Sequence, residues 1–217
     1  MKKVSHIGLA SLALAVSGFA AIPAFNAAHA QTKPQTRPHA ALSFAMVRSA
    51  AVQAAGSGCM PHGTATVTIT PQAQNDLMQV QVSGAHAGTS FDLFVLQIPD
   101  KPFGVAWYQS DLETDSTGRG SVTVQGIFDA ETFSISQGGV AGGSQTGATK
   151  AVTSTNVTFQ PTNQYHLGLW FATPTDAQHN GCPTTVTPFN GEQNAGIQAL
   201  STRNFPAGAG PLSRVHR

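Results

Sequence analysis

Thr64-Ala-Thr-Val-Thr-Ile-Thr70, Pro71-Gln-Ala-Gln-Asn-Asp76 and Leu77-Met-Gln-Val-Gln-Val82 follow one another without interruption. The first and last of these alternate apolar and polar side chains, the period of a strand that buries one face. The middle one is made of turn residues. Together they read as strand, turn, strand, and the same grammar continues on the C-terminal side. Candidate strands are Phe91 to Ile98, Val105 to Glu113, Gly120 to Phe128, Thr132 to Ser136, Asn156 to Phe159, Tyr165 to Phe171 and Ala195 to Leu200. Turns at Ser83 to Gly88 and Asp115 to Gly118 separate them. Nine short strands with close turns and almost no helix predict an all-β, antiparallel β-sandwich, Ig-like or related.

Phe91, Leu93 and Val95 occupy one face of the third strand, and Phe94, Leu96 and Ile98 the other. A strand apolar on both sides belongs in the middle of a structure. Trp107, Trp170, Leu169, Phe171, Phe128 and Ile127 are the other core candidates, since large side chains bury the most area. One helical turn is expected at Pro174 to Gln178, with Thr173 as its N-cap and Gly181 beyond its end.

Upstream, Lys2 and Lys3 precede an apolar run from Ile7 to about Phe25 and then Ala28-His29-Ala30, the small-x-small pattern cut by signal peptidase. Residues 1–30 read as a cleaved leader, with Gln31 the first mature residue. Ser17, Gly18 and Pro23 interrupt the run, which argues against a membrane anchor. The protein is expected to be secreted or periplasmic, without a transmembrane segment after cleavage. Residues 31–58 are rich in Ala, Gln, Thr and Pro and poor in large apolar side chains, the composition of a linker. Within them Ala40 to Ala55 could be helical, because alanine has the best helix propensity. The domain itself is expected over residues 59–203, with a flexible Gly-rich insertion at 137–150 and a C-terminal tail at 204–217.

The chain's net charge of +1 hides an asymmetry. Between Cys59 and Arg203 only Lys101, Arg119, Lys150 and Arg203 face all ten acidic residues, a balance of −6. Nucleic-acid binding needs clustered positive charge on the folded surface, so nucleic acid is an unexpected partner. A ligand in the envelope or outside the cell fits the compartment better.

The only two cysteines, Cys59 and Cys182, bracket the strand-rich part. In an exported protein an even count predicts a disulfide. Their settings mirror each other: Cys59-Met60-Pro61-His62 and His179-Asn180-Gly181-Cys182. A Cys2His2 zinc site has this composition, but it needs thiolates, which an oxidising compartment removes. With the bridge formed, His62 and His179 come to one end of the domain, where two imidazoles could take up copper or zinc. The Met60 thioether would favour cuprous ion. The alternative function is therefore a periplasmic metal-binding protein with copper or zinc on His62, His179 and Met60.

Asp111, Glu113 and Asp115 alternate and would share one strand face. They mimic the start of an EF-hand loop, yet Ser116 stands where that loop needs glycine and Val122 where it needs glutamate. A solvated acidic face is the better reading. Gly-x-Ser-x-Gly, His-Glu-x-x-His, phosphate-loop and Cys-x-x-Cys motifs do not occur. His86 reads as a solvent-facing turn residue and His166 as a hydrogen-bonded strand residue. No catalytic residue is assigned, and the first functional reading is a non-enzymatic binding or envelope-associated module.

Gly58-Cys59-Met60-Pro61-His62, Phe91 to Ile98, Tyr165-His166-Leu167-Gly168-Leu169-Trp170-Phe171 and Thr187-Pro188-Phe189-Asn190-Gly191-Glu192 together resemble exported bacterial β-sandwich proteins of uncharacterised function. The resemblance spans Cys59 to about Pro211. It implies a sandwich fold and carries no activity or site residue.

Overall fold

The computed structural model describes residues 40–137, 159–188 and 194–216. The expected leader lies outside these residues, as does the Gly-rich insertion apart from Gln137. The described residues form ten strands: β1 (Leu42–Arg48), β2 (Thr64–Thr70), β3 (Asp76–Ser83), β4 (Ser90–Leu96), β5 (Ala106–Glu113), β6 (Gly120–Gly126), β7 (Phe133–Gln137), β8 (Phe159–Asn163), β9 (His166–Phe171) and β10 (Gln198–Ser201). Two short helices, α1 (Ala50–Ala54) and α2 (Pro174–His179), and a 3-10 turn at Pro211–Arg214 complete the described elements.

Eight strands form one antiparallel ladder in the order β5-β4-β9-β10-β1-β2-β3-β6, and β7 pairs with β8 in a separate ribbon. The long ladder folds over itself because β1 belongs to both halves. Its residues 42–46 pair with β2, while Val47 and Arg48 pair with Ser201 and Leu200 of β10. Val67 and Ile69 of β2, Val80 of β3, Leu93 of β4 and Leu169 of β9 then meet in one core. At the opposite side the turn between β5 and β6 joins the two ends of the ladder. The result is the antiparallel all-β sandwich that the alternation predicts.

β4 is buried along six consecutive residues from Phe91 to Leu96. Phe91, Leu93 and Val95 enter the main core. Phe94 and Leu96 enter a second cluster with Phe103, Trp170 and Ala195 on the outer face. Phe103 and Phe94 both meet the Trp170 ring edge-on, at centroid distances of 4.9 and 5.2 Å, an arrangement favoured by the ring quadrupoles.

Four sequence expectations change. Residues 31–58 are not all linker: Leu42–Arg48 is a strand with neighbours on both sides, and Phe44 and Met46 join the main core. The helix expected over Ala40 to Ala55 is only Ala50–Ala54, capped by the Ser49 hydroxyl accepting from the Val52 N–H. Cross-strand packing overrides alanine's helix preference in the preceding residues. The C-terminal residues are not a free tail, since Leu212 and Val215 are buried and the Leu212 N–H donates to the Tyr165 carbonyl. Among the core candidates Ile127 is 47% exposed, having left β6 before the turn, whereas Trp107 is half-buried against the core.

Deleting residues 40–48 removes the strand that joins the two halves. Such a protein is expected to lose cooperative thermal unfolding by circular dichroism, and a sharp transition without these residues would refute the role assigned to β1.

Candidate functional site

The disulfide is present: Cys59 and Cys182 are bridged with Cα atoms 4.4 Å apart, within the range such bonds require. It ties the loop before β2 to the residue run after α2. Thr173 and Asp176 form a capping box at the start of α2, and Asp176 also accepts from the Ser90 N–H. Asn180, at the other end of α2, accepts from the His86 N–H and donates to the Thr89 hydroxyl, while its carbonyl accepts from the Met60 N–H at 2.8 Å. Thr114 binds the same turn from the third side, donating to the His86 carbonyl. Four chain segments are thereby knotted at one end of the sandwich. Gly181, with φ of 69°, would drive a Cβ into the Gly58 carbonyl, so the crossing requires glycine.

The structure brings His62 and His179 to this end, and both are exposed, as is His86. Met60 does not join them. Its side chain is 1% exposed within the main core and packs beneath Gly63, so the thioether faces away from solvent histidines. Among the described residues no three His, Cys, Asp or Glu side chains stand close enough to hold a metal ion.

Asp111 and Glu113 are exposed on β5, but the strand ends at Glu113. Asp115 turns into the hairpin, where its carboxylate accepts from the Thr117 N–H and hydroxyl at 2.7 Å each and from the Arg119 N–H. These hydrogen bonds, the Thr117 hydroxyl first, hold its pKa below the ordinary carboxylate value. Asp115 serves the turn, and the three carboxylates do not converge.

His166 is fully buried in β9. Its Nε2 lies 3.0 Å from the Ala207 carbonyl, which can only accept, so Nε2 carries the proton. Nδ1 then accepts from the Thr202 hydroxyl at 2.9 Å. Burial lowers its pKa, with the Ala207 carbonyl acting in the opposite sense.

A concavity lies elsewhere, on the outer face of β9. A cleft of about 360 Å³ opens between the start of α1, the loop joining β4 to β5, and the residues Thr185, Thr187, Ile197 and Gln198, a volume at the small end of ligand sites. Phe103, Trp170 and Ile197 line its base, with Ala50 and Ala51 on one wall and Thr185 and Thr187 on another. Its shape is held by polar bonds behind the wall. The Pro99 carbonyl accepts from the Gln198 side chain and from the Ser201 hydroxyl. Arg203 pairs with Asp100 at 3.1 Å and also donates to the Gln53 side chain. Gly168 leaves room beneath: a Cβ there would lie 2.5 Å from the Trp170 ring. Sequence reading missed this cleft. The usable signal was the second apolar face of Phe91 to Ile98, which requires a cover that another segment must supply.

Two measurements follow. Replacing both cysteines by serine is expected to cost about 2–5 kcal/mol in denaturant unfolding, the range for a native bridge; an unchanged midpoint would refute the stapling role. For His166 the unfolded state titrates near 6.5 and the folded state lower. Below 6.5 the unfolded chain binds more protons, so stability is complete above that pH and falls as pH drops toward the folded pKa. A His166→Gln protein should show a flatter melting temperature across that window, and an identical slope would refute the assignment.

No family model, curated protein or solved structure matches this chain.

Proposed function

We propose that the chain is an exported, non-enzymatic β-sandwich binding module that receives a small molecule in the cleft above Trp170. It belongs with exported bacterial sandwich proteins and works in the periplasm or outside the cell. The observation that carries this reading is the way the cleft is constructed. Its base is apolar, and several polar groups around it hold its walls: Gln198 and Ser201 on Pro99, Arg203 on Asp100. Groups committed to fixing loop geometry support a preformed receptor. The apolar base and scarce polar contacts suit a ligand recognised by shape.

The second reading, copper or zinc handling at the disulfide end, rests on the exposure of His62 and His179 there. With Met60 in the core its donor set is reduced to imidazoles.

Tryptophan emission tests the first reading, because Trp107 and Trp170 are the only two tryptophans. In a Trp107→Phe protein the remaining emission comes from Trp170, at the base of the cleft. A saturable change on titration with small apolar molecules, without turnover of common hydrolase substrates, is the expected result. Reproducible turnover that a point substitution abolishes would overturn it. Calorimetry with Cu(II) and Zn(II) addresses the second reading, which predicts heat that a His62→Ala, His179→Ala protein lacks.

A further inference from the structure

We infer that the cleft above Trp170 takes an amphiphile, an apolar body carrying a single anionic group, and that Lys101 is the residue that receives the anion. The inference rests on the binding-module reading and adds the chemical class of the ligand.

Three observations lead to it. First, the base of the cleft is hydrocarbon and aromatic, supplied by Phe103, Trp170 and Ile197, so the inserted part of the ligand is apolar. Second, the two charged residues on its wall are not equivalent. Asp100 is neutralised by Arg203 at 3.1 Å, through a guanidinium that is anchored in turn by Gln53. Lys101 is exposed on the same wall, and among the described residues it makes no ion pair. An ammonium beside low-polarity surface is attracted to an anion more strongly than one in open water, because the effective dielectric is lower. Third, the sign is unusual for this domain, where Cys59 to Arg203 carries ten acids against four basic side chains. A cation at the mouth of an apolar cleft on an otherwise acidic surface discriminates by charge.

The neighbouring carboxylates do not cancel it. Asp92 lies opposite Trp170 on the β4 side, with Asp111 beyond it on β5, whereas Gln198 lies opposite Trp170 on the β10 side where the cleft opens. Trp170 stands between the acids and the cleft. The fixed rim, the apolar base and one uncommitted cation together describe a fatty-acid-like ligand better than a neutral sugar or a cation.

The test uses the disulfide-bonded protein with decanoate, 1-decanol and decylamine as probes, read by calorimetry and by Trp170 emission in the Trp107→Phe background. Decanoate is expected to bind about tenfold more tightly than decanol at low salt, with decylamine weakest, and the preference should shrink as ionic strength rises. Lys101→Gln should abolish the preference while decanol binding persists, and Lys101→Arg should preserve it. Ala50→Trp, which fills the cleft from an exposed helix position, should block both probes. Equal affinity for decanoate and decanol, or tightest binding of decylamine, would overturn the anion inference and leave the cleft reading standing. Failure of all three probes to bind, or binding that Ala50→Trp leaves untouched, would overturn both.

Discussion

Two adjacent strands that are apolar on both faces govern this structure. β9 is buried throughout and β4 from Phe91 to Leu96, and an extended segment can remain so only if something covers each side of the sheet. The inner side is covered by the other half of the ladder, through Val67, Ile69, Met78 and Val80. Among the described residues no strand contributes a buried side chain to the outer cluster beside β4 and β9. Phe103, from the loop joining β4 to β5, and Ala195 pack there with Phe94, Leu96 and Trp170. Phe103 and Trp170 of this outer cluster also line the cleft. The candidate binding site is thus a consequence of how the second face of β4 and β9 is closed.

The remainder of the fold keeps those two strands in place. β1 carries the ladder from one half to the other. At one end the Cys59–Cys182 bridge, the α2 capping box and the hydrogen bonds of Asn180 bind four segments together. Elsewhere Leu212 and Val215 enter the core, and Arg214 stacks over Phe205 at 5.1 Å. The histidines near the bridge lie on the outside of the knot. Its buried groups are engaged in cohesion.

Much of the strand pattern was legible because alternation is a local property. Thr64 to Thr70 appears in the structure with the same limits, and Leu77 to Val82 differs by one residue at each end. The α2 turn was legible for a similar reason: Thr173, Pro174 and Asp176 make a capping signature within four residues. β1 was not legible, since its composition reads as linker and its stability comes from strands on either side. Nor was the cleft. Lys101 with Phe103, Trp170 and Thr187 come from three distant stretches of sequence, and nothing in their spacing announces that they will line one cleft.

By itself the sequence determined the fold class and the disulfide pair: side-chain alternation sets which face of a strand is buried, and two cysteines permit one intramolecular pairing. The tertiary structure decided that Leu42–Arg48 is the shared strand, that Met60 belongs to the core, and that Lys101 lines an apolar cleft. These depend on which surfaces remain uncovered after the strands have paired, a property of packing between distant segments that no local run of residues contains.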